Sequence, residues 1–183
     1  MRKINPISGF PEWLPEEKLI EQFIIDQVRG NFELFGFAPI ETRAIEPLEW
    51  LLKKGETDKE IYTVHRLQAE GEDAADWGLH FDLTVPFARY VLQFRNQLRF
   101  PLKRYQIQKV WRGERPQEGR YREFYQADID VIAEKELPLH YDAEMPRLLH
   151  QVWASLPFPS LQILLNNRKV LEGFYRALGI APV

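Results

Sequence analysis

Residues 110–132, VWRGERPQEGRYREFYQADIDVI, decide the fold. Alternate residues of an extended chain share a face. Over Tyr121–Ile132, one face gathers Tyr121, Glu123, Tyr125, Ala127, Ile129 and Val131, which are mostly apolar and suit a core. The other gathers Arg122, Phe124, Gln126, Asp128, Asp130 and Ile132. The preceding stretch, Tyr105–Arg112, also reads as a strand. The linker GERPQEGR is turn-like, so the two should form an antiparallel hairpin. Half-exposed strands often alternate in this way, and a solvated face is the plain alternative. Two aspartates inside a strand are disfavoured, however. Arg112 is also placed to face the Gln126/Asp130 row across the ladder. A guanidinium and carboxylates around a shallow polar floor suit a zwitterionic ligand together with a phosphate.

Upstream of the hairpin, residues 1–14 read as an irregular lead-in broken by Pro6, Gly9 and Pro11. Pro15 suits a first helical position, and Glu16 and Glu17 suit the positive end of a helix dipole. Leu19, Ile20, Phe23, Ile24, Val28, Phe32 and Phe35 recur at helical spacing, which predicts an amphipathic helix over 15–35 ended by Gly36. Phe37–Arg43 reads as a strand, and Pro39 confines it to an edge or an interface. A short helix is expected over 45–54, a charged loop around 68–76, a strand over Leu79–Thr84 and a helix from about Pro86. Downstream, the pattern predicts helices over 140–154 and 168–178 and a strand over 161–165. The fold class expected is α+β, a mainly antiparallel sheet flanked by helices.

Composition narrows the chemistry. The 183 residues are 45% hydrophobic and 28% charged, enough for one domain with a real core. No apolar run approaches a bilayer span, and no signal peptide opens the chain, so no membrane association is expected. With no cysteine, disulfides, thiolate nucleophiles and Cys-based zinc sites are excluded, and a cytoplasmic setting fits. A net charge of −3 argues against strong nucleic-acid binding by these residues alone. No two glycines are spaced G-x-G, no serine lies in G-x-S-x-G, and the four histidines lack H-E-x-x-H spacing. A bound nucleotide would therefore be held without the common phosphate loops, and no metal site is visible. The five tryptophans point to a core plus an interface, and Trp13 and Trp50 are expected to be exposed for self-association.

VWRGERPQEGRYREFYQADIDV closely resembles motif 2 of the class II aminoacyl-tRNA synthetases, in its histidyl-tRNA synthetase version. HFDLTVPFARYV, residues 80–91, resembles that family's histidine-binding strand and helix. The long helix with FELFGFAPIETRAIEPLEWL resembles motif 1, which builds a dimer interface, and GFPEWLPEE matches the family's usual start. The resemblance runs from about residue 8 to about 178. It implies one partial catalytic domain over 1–183, with motif 1 at about 15–50, the histidine-binding strand within 79–91, motif 2 at 105–132 and the start of an insertion region at about 161–183. The second histidine-binding segment, motif 3 and the anticodon-binding domain have no counterpart in these residues.

The activity implied is histidine–tRNA ligation, in which ATP activates L-histidine to histidyl-adenylate for transfer to tRNA(His). Matching positions carry the implied roles. Arg112 would be the catalytic arginine, holding both the α-phosphate and the substrate carboxylate. Glu114, Arg120 and Phe124 would complete the ATP site, with Phe124 stacked on adenine. Asp82, Leu83 and Thr84 would meet the histidine ammonium group, and Gln126 and Asp130 would floor the histidine pocket. Mg²⁺ would arrive with ATP, and the protein would form a homodimer. Without the missing motifs the 183 residues alone should bind weakly and turn over little. The competing reading is a synthetase-like regulatory subunit of ATP phosphoribosyltransferase. Such paralogues tend to lose motif 2 charges, whereas Arg112, Glu114, Arg120 and Phe124 are intact here.

Overall fold

A computed structural model describes residues 4–53, 60–68 and 77–180. Helix α1 (Pro15–Leu34) starts at Pro15, and the Glu17 carboxylate accepts the Leu14 N–H at 3.0 Å in place of a missing helical partner. It ends at Leu34, and Gly36, just past the Phe35 cap, has a φ of +78° that suits glycine. Strands β1 (Ala38–Pro39) and β2 (Ile45–Pro47), helix α2 (Leu48–Leu52), and strands β3 (Thr63–Val64) and β4 (Trp77–Leu79) follow. Then come α3 (Thr84–Phe94), β5 (Leu102–Trp111), β6 (Glu123–Ile132), α4 (His140–Ala154) and α5 (Arg168–Ala177).

The fold is α+β. The strands form two small sheets, ordered β1-β5-β6 and β2-β4-β3, where the sequence suggested one. The second is antiparallel throughout, while β1 runs parallel to β5. Strands β5 and β6 are adjacent and antiparallel over ten residue pairs, from Leu102 opposite Ile132 to Trp111 opposite Glu123. The proline-bearing strand lies at an edge of its sheet, as expected, because Pro39 has no N–H for a second neighbour.

The apolar face of the hairpin packs on α1 and α4. Phe32, Phe37, Tyr105 and Leu148 form the buried centre, with Ile107, Ile129, Val131, Met145 and Val152 against it. Only the C-terminal half of α1 takes part. Leu19, Ile20 and Phe23 remain exposed on the first half.

Several local expectations need correction. Leu79–Thr84 is not a continuous strand: β4 ends at Leu79, Phe81–Leu83 bend, and Thr84 opens α3. The Asp82 Oδ1 accepts the Thr84 N–H at 3.2 Å, which favours a turn over the extended ladder that the alternation suggested. The helix expected over 45–54 divides into β2 and α2. The strand expected over Phe37–Arg43 shrinks to Ala38–Pro39. Residues 161–165 are not a strand, and among the described residues none pairs with them in a ladder. Trp50 is half-buried, its indole donating to Glu49 at 2.8 Å, while Trp13 is exposed. The loop expected at 68–76 lies, apart from Gln68, outside the described residues.

Candidate active site

The polar face of the β5-β6 ladder is a continuous row. Strand β5 contributes Arg104, Gln106 and Gln108, directly opposite Asp130, Asp128 and Gln126 of β6. The pairing follows from register, since one-residue slippage would turn this row into the core. Arg112 continues the row just past β5. Its Nε donates to the Phe81 carbonyl at 3.0 Å, its Nη2 donates to Gln126 Oε1 at 3.3 Å, and its guanidinium lies 5.1 Å from the Phe124 ring centroid. The planar fork thus links the 81–83 bend to the hairpin, a span a lysine cannot bridge with two directed donors.

Gln126 turns its amide onto both oxygens of Asp128, at 3.0 and 3.1 Å. Asp130 makes an ion pair with Arg104 instead of meeting Arg112. Burial pushes the Asp130 carboxyl above its ordinary value, against the pull of Arg104. Gln106 donates to the Thr42 hydroxyl at 2.8 Å, and its Oε1 is buried with no partner among the described residues.

Asp82 is buried at the base of α3, beside the exposed Thr84 that opens the helix. Leu83 is fully buried, leaving only its backbone for a ligand. The bend is fixed to the sheet from both directions: the His80 N–H meets the Ala44 carbonyl at 2.9 Å, and the His80 carbonyl accepts the Trp111 N–H at 3.1 Å. His80 itself is buried, with Nε2 2.8 Å from the Lys109 carbonyl.

The loop between the hairpin strands makes the second part of the site. Arg112, Glu114, Gly119, Arg120, Tyr121 and Phe124 line a recess of about 130 Å³. Arg120 Nη1 lies 2.9 Å from Glu114 Oε2, and Arg122 Nε donates to the Glu114 carbonyl at 3.0 Å. A polar floor carrying two arginines and two aspartates thus adjoins a recess with an aromatic wall and an exposed cation. That arrangement accommodates an amino acid beside a phosphate-bearing aromatic ligand.

The structure brings together Arg112, Gln126 and Phe124, and places Glu114 and Arg120 in one ion pair. It separates Asp130 from Arg112 by giving it to Arg104. Arg104, Gln106 and Thr42 escaped the sequence reading. Arg104 and Gln106 were visible as alternate residues of KRYQIQ, but only the β5-β6 register sets them opposite the aspartates.

The family model for histidyl-tRNA synthetase matches residues 9–183. The histidine–tRNA ligase of Thermobifida fusca is 59% identical over 178 residues, covering 96% of this chain and 41% of that protein. The crystal structure of histidyl-tRNA synthetase from Nostoc sp. PCC 7120 superposes with a TM-score of 0.85 at 41% identity, covering 98% of this chain and 41% of that one. A Bacillus halodurans structure described as an ATP phosphoribosyltransferase regulatory subunit/histidyl-tRNA synthetase superposes with a TM-score of 0.69 at 23% identity, a likeness of fold alone. The chain spans about two fifths of the length of the first two relatives. A match from Gly9 onward, over a hairpin whose arginine meets both its glutamine and its phenylalanine, makes this chain a member of the histidyl-tRNA synthetase family.

Proposed function

We propose that these residues form the ATP- and histidine-binding half of a histidine–tRNA ligase active site, within one partial catalytic domain. The observation that carries the reading is Arg112, fixed between the 81–83 bend and Gln126 with its guanidinium over Phe124. In the reaction, the histidine carboxylate attacks the α-phosphorus of ATP, pyrophosphate leaves, and histidyl-adenylate forms. The adenylate's carbonyl is then taken by the terminal ribose of tRNA(His), and AMP is released. Both steps depend on positioning and charge neutralisation. Arg112 bridges the α-phosphate and the substrate carboxylate. Phe124 stacks on adenine, Glu114 meets its amino group, and Arg120 leaves Glu114 for the phosphates. That exchange costs little, because the Arg120 side chain is mostly exposed.

Asp82 and Thr84, with the Leu83 backbone between them, receive the histidine ammonium group. Gln126 and Asp130 meet the imidazole. Mg²⁺ arrives with ATP as part of the substrate. The apolar first half of α1 supports homodimer formation, since Leu19, Ile20 and Phe23 lie uncovered on one element. No helix among the described residues is long and apolar enough to cross a membrane. Together with the cysteine-free composition this supports cytoplasmic function. As an isolated 183-residue polypeptide, the chain binds ATP and histidine weakly and turns over little.

The test is histidine-dependent ATP–pyrophosphate exchange by the native gene product. Exchange with histidine and not with other amino acids is expected. Exchange absent with histidine, with a correctly folded protein, would reject the reading. The regulatory alternative expects histidine binding without exchange.

A further inference from the structure

Arg104 has no part in the roles above, yet it is the largest fully buried side chain in the described structure. Its guanidinium carbon lies 4.1 Å from the centroid of the Phe87 ring of α3, and one nitrogen pairs with Asp130 directly across the ladder. Its Nε and Nη1 have no hydrogen-bond partner among the described residues. The two partners differ in burial: the Arg104 side chain is 0% exposed, whereas that of Asp130 is 45% exposed. The pair therefore presents its carboxylate outward and hides its cation beneath.

A buried guanidinium is costly unless an opposite charge matches it. Asp130 supplies the larger match for this cation and Asp128 a smaller one. Asp128 also opposes the Asp130 charge, and it is held by Gln126. Arg89 of α3 is committed to Glu46, as is Arg43 ahead of β2. Arg112 is committed to the Phe81 carbonyl and Gln126. Arg104 is thus the cation that faces Asp130.

We propose that Arg104 is a positioning residue of the histidine pocket: it holds one oxygen of Asp130 and cancels its charge, so that the other oxygen accepts an N–H from a neutral imidazole. This rests on the reading of Asp130 as the imidazole acceptor. Once a bound ring covers the exposed side of Asp130, the shielded contact favours overall neutrality. With Arg104 present, the Arg104 guanidinium, the Asp130 carboxylate and a neutral ring sum to zero, and the neighbouring Asp128 and Arg112, joined through Gln126, offset each other. Without it, neutrality needs one more proton, shared between Asp130 and the ring. Arg104 therefore makes histidine binding independent of proton uptake and selects the uncharged ring.

The test uses the native gene product in pyrophosphate exchange, comparing Arg104→Met and Asp130→Asn with the unaltered protein. Arg104→Met is expected to raise KM for histidine about tenfold near pH 7, consistent with loss of a charge-assisted contact, while KM for ATP stays within about twofold. The ratio of variant to unaltered KM for histidine should climb with pH between about 7 and 8.5, towards about tenfold per unit, the slope of one linked proton. The double variant should be no worse than Asp130→Asn, because Arg104 acts through that carboxylate. A pH-independent ratio, or an equal rise in KM for ATP, would show a purely structural role and overturn the proposal. An unchanged KM for histidine in Asp130→Asn would instead reject the reading of Asp130. Should Arg104→Met fail to fold, ring-¹⁵N-labelled histidine bound to the unaltered protein decides: neutral-imidazole signals at pH 6 support the proposal, and imidazolium signals overturn it.

Discussion

The Gly9 carbonyl accepts the Arg122 N–H at 2.7 Å and the Glu123 N–H at 3.1 Å, tying the lead-in to the point where β6 begins. Gly9 has φ of +84°, and a Cβ there would lie 2.9 Å from Arg122 Cγ and 3.0 Å from Pro116 Cγ. A side chain is therefore excluded both by conformation and by the closeness of the hairpin loop. Gly9→Ala is expected to cost about 1–3 kcal/mol of stability from backbone strain. It should also raise KM for ATP more than KM for histidine, because the loop it displaces carries Glu114 and Arg120. Urea unfolding and exchange kinetics check both parts. A variant with the original midpoint and both KM values unchanged would show that the strap does not position the loop.

Leu148 is fully buried on α4 against Phe32, Phe37 and Tyr105, where α1, α4 and the apolar face of the hairpin meet. Leu148→Ala removes packed methyl groups and leaves a cavity, so a loss of about 2–5 kcal/mol is expected. Leu149, its neighbour in sequence, is 52% exposed. Leu149→Ala should change stability by no more than about 0.5 kcal/mol. Equal losses from the two substitutions in urea unfolding would contradict the placement of α4 on the sheet.

These elements differ in how far the sequence disclosed them. Helix α1 and the β5-β6 hairpin were legible because each carries a sustained period that only one structure satisfies. The alternation in Tyr121–Ile132 also separated the core face from the polar face correctly, as Ile129 and Val131 show by packing into the core. The stretch Leu79–Thr84 misled because its alternation suits a strand, while the Asp82 side chain bonds locally to the Thr84 N–H. Residues 161–165, LQILL, misled because strand-forming composition needs a neighbouring chain to pair with. Within the site, Arg112, Gln126 and Phe124 stood out through their motif. Arg104 and Gln106 did not, because their importance depends on which residues of β6 lie opposite, and register is a property of the folded hairpin.

His80 is buried, and burial holds its imidazole below the ordinary value despite the neighbouring Lys109 carbonyl. The folded state thus resists protonation that the unfolded chain accepts near pH 6.5. Below that pH the unfolded chain binds more protons, so His80 contributes stability above about pH 6.5 that is lost as the pH falls towards the folded value. Melting temperature should therefore drop between about pH 7 and 5. His80→Gln, whose amide N–H can still donate to the Lys109 carbonyl, should show a shallower drop over that range. A variant with the same pH slope as the unaltered protein would remove His80 from the account.

Arg112 gives the sharpest test of the proposed chemistry. Two of its nitrogens already have directed partners, the Phe81 carbonyl at 3.0 Å and Gln126 at 3.3 Å, so the guanidinium is oriented before any ligand arrives. An oriented cation is worth more to a developing phosphorane charge than one that must be reoriented during reaction. In the native gene product, Arg112→Ala is expected to lower kcat for pyrophosphate exchange by about 10²–10³-fold, the usual effect of deleting one such donor. Arg112→Lys restores the charge without the fork, and its kcat should fall between those of Arg112→Ala and the unaltered protein. Melting temperature should move little in either variant, since Arg112 is only half-buried and lies beyond the end of β5. Exchange by Arg112→Ala at the original rate, with ATP affinity unchanged, would show that the α-phosphate is neutralised elsewhere and that the convergence of Arg112, Gln126 and Phe124 is not the reacting centre.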